Sequence, residues 1–345
     1  FSYIFRLLDQ VKSLYKLDIP ELSKYTESLK EDSQKFKKFR RGANLLAPSS
    51  ATGNIIEMIF DYLRMLFHID LIKYNSSLKF FKGNRKVLIH MYENIGFLDS
   101  MIAAASFKEM LGFYCTPKLS KVEKPFLSVT GMYHPLLSEP VTNSISENRS
   151  VLLTGSNASG KSTFIKTLAI NAILAQTIYT STSHSYEASY FMIYSSMALR
   201  DNIFSNESYY IVEIKSLKRI LDRVNDKIPT LCFIDEVLRG TNTLERIAAS
   251  SRILSSLAKQ NTLVFAATHD IELTHILEND YSNYHFQERI EENQIIFDYK
   301  LYAGKAISKN AIKLLGMLGY PPAITTAAES AAEEFLAHGE WSLCD

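Results

Sequence analysis

Ten residues at 154–163, "TGSNASGKST", have the composition and spacing of a loop that grips phosphate. Gly155, Gly160, Lys161 and Ser162 fill the pattern G-x-x-x-x-G-K-[ST]. Glycines let the backbone turn so that successive N–H groups face one point, and a helix beginning there adds its positive end. The candidate binding set is Gly155, Ser156, Asn157, Ala158, Ser159, Gly160, Lys161, Ser162 and Thr163. Lys161 would pair with the outer phosphates of a nucleoside triphosphate, and Ser162 would ligate Mg²⁺. The apolar run before the loop and the amphipathic run after it argue against a chance glycine-rich turn. The loop by itself does not separate kinases, transporters, motors and DNA-repair clamps.

Two further stretches narrow the chemistry. In "LCFIDE" (231–236) four apolar residues lead into two carboxylates. Asp235 would stand at the carboxyl edge of a sheet and hold Mg²⁺ through water. Glu236 would orient and deprotonate an attacking water. Such a pair points to hydrolysis of ATP rather than transfer to a small acceptor. In "ATHD" (267–270) His269 follows another apolar run and would sense the γ-phosphate and touch the water. An acidic turn or a lone histidine is ordinary taken singly. Three buried strands that each end in a polar residue of the required kind are less ordinary, because ligands gather at such edges.

The elements that must position these residues read as follows. Residues 1–114 are helical in character, with sparse Gly and Pro. "NLLAPSSATGN" (44–54) is a loop in which Thr52 or Asn54 could cap the next helix. Further helices are predicted from about Lys86 to Glu93 and from Asp99 to about Leu111, and Pro117 breaks the pattern. Beyond it, strands are predicted at 150–154, 189–197, 230–235 and 262–268. Helices are predicted at 162–176, 208–224 and 244–259, with Ile214, Leu217, Leu221 and Val224 aligned on the second. This alternation implies an α/β domain with a mostly parallel sheet covered by helices on both faces.

Composition sets bounds. The 345 residues are 46% hydrophobic, enough for a full core and against disorder. Net charge is +1, yet residues 1–120 hold 18 basic against 12 acidic side chains. That bias fits nucleic-acid contact or an ordinary solvated helix surface equally well. "KFKKFRR" (35–41) leaves the same two readings open, phosphate contact or solvated face. Three scattered cysteines without a C-x-x-C pair indicate neither a zinc site nor a disulfide framework, and a cytoplasmic location is expected. The apolar run 55–81 carries too many charges for a membrane span. The chain begins at Phe1 without a signal-peptide pattern and reads as a piece of a longer protein.

In this order and company the motifs resemble the MutS family of DNA mismatch-repair ATPases, within the ABC-type ATPase class. "TGSNASGKST" is similar to that family's phosphate loop, "SNESYYIVE" to its signature loop, "FIDEVLRGTNT" to its second nucleotide motif and "ATHDIELT" to its switch-histidine segment. "GMYHPLL" (131–137) resembles the entry to the ATPase domain, and the stretch from Ala303 to Phe335 resembles a helix-turn-helix dimerisation segment. The resemblance covers roughly 95–338 and implies a helical core/lever domain at 1–115, an ABC-type P-loop ATPase domain at 116–306 and the dimerisation segment at 307–345. It further implies a homodimer through the ATPase domains, with ATP and Mg²⁺ shared between subunits, Ser208 acting in trans, His285 stacking on adenine, and DNA as partner.

The sequence also departs from the family pattern. Tyr209 stands where Thr is usual, Glu207 where a basic residue is common, and Val141 where an aromatic commonly holds adenine. Ser156, Ala158 and Ser159 replace Pro, Met and Gly. The F-x-E sequence Phe286-Gln287-Glu288 lies deep in the ATPase region, where strand surface is expected, rather than in a mismatch-reading domain. About 115 residues precede the ATPase region, so a mismatch-reading domain is expected to lie upstream or be lacking. A second functional class follows: an ATP-gated interaction protein without mismatch recognition, tethered to a membrane through upstream sequence.

Overall fold

Helical periodicity in the first third and apolar runs beyond it produce two units, Phe1–Glu109 and Met110–Asp345. The computed structural model describes residues 2–17, 19–37, 62, 65–122, 124–156, 158–197, 209–291, 294–306, 311–317, 319–339 and 341. The expected loop 44–54, most of the basic run 35–41, Asn157 and Ser208 fall outside these.

In the first unit, α1 (Ser2–Leu14), a 3₁₀ turn (Pro20–Leu22), α2 (Ser23–Lys35), α3 (Ile69–Gly83) and α4 (Arg85–Met110) enclose a core of Leu8, Val11, Leu29, Phe36, Phe81 and Met91. Phe36, one of the two aromatics of the basic run, is buried edge-on to Phe80 at 5.5 Å, so it is not available to stack on a base. Asp32 is buried as well and is held by Lys35 at 3.1 Å and His90 at 2.6 Å. Sequence reading divides 86–111 into two helices around Gly96, whereas α4 is continuous over 26 residues. One glycine costs a helix about 1 kcal/mol, and propagation from both sides outweighs it because nucleation is the expensive step.

In the second unit, β4 (Ser150–Thr154), β7 (Thr230–Asp235) and β8 (Thr262–Ala267) occupy the predicted places. They belong to a six-stranded sheet of order β10-β9-β4-β8-β7-β6, completed by β6 (Met192–Ser196), β9 (Tyr281–Glu291) and β10 (Gln294–Ala303). All its pairings are parallel except that of the edge strand β10. Strands β4, β7 and β8 are buried along almost their whole length because both faces are covered, which their apolar centres match. On one face lies α5 (Lys161–Thr177), itself backed by a second sheet. That sheet contains β1 (Lys118–Ser120), β2 (Leu127–Met132), β3 (Asn143–Glu147) and β5 (Ser185–Ser189) in the order β1-β5-β2-β3. On the other face lie α6 (Tyr209–Leu221), α7 (Thr243–Ala258) and α8 (Glu272–Ile276), while α9 (Ala311–Met317) and α10 (Pro322–His338) follow β10.

Sandwiching buries α5 almost all round, Ile165, Leu168, Ala169 and Ala172 included. Two expectations need correction. The predicted strand 189–197 is the end of β5 and the whole of β6, in different sheets, separated by a change of direction at 190–191. On α6 the expected Leu217 is buried and Leu221 and Val224 pack against the core, but Ile214 is 39% exposed and Glu213, Ser216 and Ile220 share the buried face. A periodicity read from apolar residues alone leaves a buried carboxylate out of the face. Among the described residues no helix is long and apolar enough to cross a membrane. Gly96 has open space where a Cβ would sit, so Gly96→Ala should stabilise the helical unit by about 1 kcal/mol, read as a raised unfolding midpoint.

Candidate functional site

Strand β4 delivers the chain from the centre of the sheet into a tight loop, and α5 carries it away. Gly155 turns at φ +141 with its α-carbon against β9; a Cβ there would lie 2.6 Å from the Phe286 carbonyl oxygen. Gly160 turns at φ +109 immediately before α5, and Ala158 holds a left-handed φ of 63 without being glycine. Ser159 Oγ donates to the Ser156 carbonyl at 2.8 Å, and Ser156 Oγ donates to Glu288 Oε2 at 2.7 Å. The F-x-E residues are therefore not plain strand surface: Phe286 is buried edge-on to Phe164 at 5.7 Å, and Glu288 braces the loop.

Lys161 is 5% exposed, and its Nζ donates to the carbonyls of Gly155 and Ser156, each at 2.7 Å. Burial lowers its pKa to about 8 against the opposing charges of Asp235, Glu236 and Glu288. The strand order β4-β8-β7 brings the carboxylates at the end of β7 near the amine, where their charges act on it. Asp235 ends β7 with Oδ1 buried and without a hydrogen-bond partner among the described residues. An acceptor so deprived of donors fits a cation or its water shell, and Ser162 opens the helix alongside.

Glu236 has left-handed backbone at φ 57. Its Oε2 pairs with Arg239 Nη1 at 2.8 Å, and its Oε1 lies 3.1 Å from His269 Nε2. Burial, then the charge of Lys161, depresses the His269 pKa below its usual value, so the ring is neutral at pH 7. A neutral ring that donates to the Glu236 carboxyl oxygen carries its proton on Nε2. The histidine segment is anchored through the next residue: Arg246 of α7 grips Asp270 with bonds of 2.9 and 2.6 Å. A small cavity of about 200 Å³ opens at Glu236, Arg239, Arg246 and His269.

A larger cavity of about 370 Å³ adjoins the loop, lined by Met132, Tyr133, Val141, Thr163, Phe286 and Tyr299 among others. His285 is not among its walls. Side chains alternate along β9, so with Phe286 turned to α5, His285 points to the opposite face. There its Nδ1 lies 3.0 Å from the Gly304 carbonyl and its ring stacks on Tyr302 at 5.7 Å. Among the aromatics that do line the cavity, Tyr299 sits at φ 53 where the β9–β10 register shifts. A bulge of this kind cannot be seen in "FDYKLY". The geometry thus brings Lys161, Asp235, Glu236 and His269 together and leaves His285 on the other face of the sheet.

Parallel strands ending in this cluster define an α/β unit of the ABC-like ATPase class. The family model described as MutS domain V matches residues 151–336. The chain belongs to the MutS family. It is 32% identical over 267 residues to the MutS protein homolog 4 of Homo sapiens, an overlap of 71% of this chain and 28% of that protein. It is 26% identical over 257 residues to the DNA mismatch repair protein MutS of Thermotoga maritima, covering 72% of this chain and 32% of that one. Identity to the DNA mismatch repair protein MSH3 of Debaryomyces hansenii is 26% over 301 residues, 79% of this chain and 29% of that one. The chain spans about a quarter to a third of the length of these relatives.

Folding lowers the proton affinity of Lys161, so its burial costs stability below pH 8, and the cost fades as the pH climbs toward 10.5. In ligand-free protein the amine should titrate near pH 8 by NMR of labelled lysine. Because Glu288 raises that pKa, Glu288→Gln should move the midpoint further down; an unmoved midpoint would contradict the arrangement.

Proposed function

We propose that this chain is the ATP-binding and ATP-hydrolysing part of a dimeric MutS-type protein that acts on DNA. The observation that carries the reading is the meeting at one sheet edge of a buried lysine, a buried aspartate oxygen with no partner among the described residues, and a glutamate tied to a neutral histidine. The loop 155–160 would wrap the phosphates, with Lys161 leaving its two carbonyls for the outer phosphate oxygens. Ser162 and Asp235 would hold Mg²⁺, which when bound neutralises charge on the phosphates. The base would settle in the larger cavity against Tyr299, with Val141 on its rim. Tyr299 replaces His285 as the aromatic wall on geometric grounds.

Glu236 would take the proton of the attacking water. His269 fixes one carboxylate oxygen by donating from Nε2, and as a neutral ring it adds no positive charge that would weaken the base. Arg239 holds the other oxygen and must loosen for water to approach from that side. Ser208, immediately before α6, would reach the partner subunit's nucleotide, and α9 and α10 would form the dimer contact. The helical residues up to about 115 would serve as lever. Relatives named as mismatch repair proteins support DNA as the partner.

Glu236→Gln should leave ATP binding intact and slow turnover by about 10²–10⁴-fold, measured as steady-state phosphate release. Full turnover would remove Glu236 as the base. Mixing Ser208→Ala with Lys161→Ala chains should restore one intact composite site per heterodimer; no recovery would sink the shared-site model. ATPase assays with homoduplex, mismatched and branched DNA test the partner. Indifference to every DNA would favour an ATP-gated interaction role.

A further inference from the structure

A carboxylate on the buried face of an amphipathic helix is costly unless something holds it. Glu213 occupies that place on α6, 2% exposed, in line with Ser216, Leu217 and Ile220. A leucine would serve packing better. What Glu213 provides is an acceptor: its Oε1 takes the backbone N–H of Leu238, and the N–H of Arg239 stabilises the same charge. Its Oε2 is buried without a partner among the described residues, so the bond to this segment is the visible compensation for burying the group.

The segment it holds needs support. Glu236 and Leu238 both have left-handed backbone at φ 57, a region non-glycine residues enter only when their surroundings impose it. A second contact comes from the same helix turn. Gly240 lies so close beneath Tyr210 that a Cβ would stand 3.0 Å from the tyrosine Cβ. Helix α6 therefore pins 238–240 at two points, one polar and one steric. Arg239, between them, is the residue whose guanidinium holds Glu236 Oε2 at 2.8 Å.

We infer that Glu213 is a positioning residue for hydrolysis, which sets the direction of the Glu236 carboxylate through the backbone of Leu238 and Arg239 without touching nucleotide. The inference rests on Glu236 being the base. It predicts a separation of effects, since nucleotide binding depends on the loop after β4 and not on 238–240. Glu213→Leu should leave ATP affinity within about twofold and lower kcat by about 10–100-fold, the size of effect that a misplaced reacting group produces. Glu213→Gln keeps an oxygen acceptor and should restore kcat to within about threefold of the parent. Gly240→Ala, which pushes on Tyr210 from the loop side, should lower kcat in the same direction.

A readout independent of turnover completes the test. Amide hydrogen exchange should show Leu238 and Arg239 protected in the parent and in Glu213→Gln, and deprotected in Glu213→Leu while β7 and β8 stay protected. Retained protection in Glu213→Leu overturns the inference, as does unchanged kcat. If the parent chain binds ATP but shows no turnover that Glu236→Gln abolishes, the reading of Glu236 fails instead, and the exchange measurement still decides whether Glu213 holds the segment.

Discussion

The second unit is organised around a buried cation. Taking an ammonium out of water is expensive, and Lys161 is nearly inaccessible. Two loop carbonyls accept its protons at 2.7 Å, and Asp235, Glu236 and Glu288 offset part of the desolvation, though not all, since the pKa falls to about 8. Such a group is held ready rather than satisfied. A phosphate bearing several negative charges would stabilise it better than two neutral carbonyls do, so the loop is arranged to exchange its internal bonds for a ligand's.

That arrangement exists only because of strand order. Lys161 follows β4, Asp235 ends β7 74 residues later, and His269 follows β8 a further 34 residues on. With β8 between β4 and β7, and all three parallel, their carboxyl ends come out on one edge. The register pairs Leu153 and Asp235 with the same residue, Ala267. A slip of one residue in either ladder would turn the acidic end of β7 to the other face. Full burial of the three strands specifies that register.

The parts legible in the sequence were those governed by local rules. Apolar runs of three to five residues locate β4, β7 and β8, and the loop pattern locates the turn between β4 and α5. What escaped depends on distant partners. The second sheet is built from short strands whose pairing joins residues far apart, such as Leu119 with Ala188. Its mixed burial gives no clean alternation to read. That Tyr299 rather than His285 lines the larger cavity depends on strand alternation and on a register shift between Phe297 and Leu301, whereas residue type alone favours the histidine. Glu213 closes the stretch "SNESYYIVE", but its burial is not legible there, because a carboxylate enters a helix core only when backbone donors elsewhere in the chain await it.

The wall of the larger cavity is bound to the same helix that starts at Lys161. Asn171, fully buried on α5, accepts through Oδ1 from Ser181 Oγ and the Thr182 N–H, each at 2.7 Å. Thr182 Oγ1 in turn donates to the carbonyl of Tyr133, a lining residue, at 2.7 Å. A buried amide so fully used fixes its surroundings, because each broken bond would leave a polar group without water. The loop after β4, the first turns of α5 and the Met132–Tyr133 wall are thus parts of one rigid assembly. Glu236 and His269 stand at the same sheet edge, but the segments that carry them are braced by α6 and α7 instead. A nucleotide spanning both would register any displacement between two separately braced halves, one holding its phosphates and base, the other aiming the water.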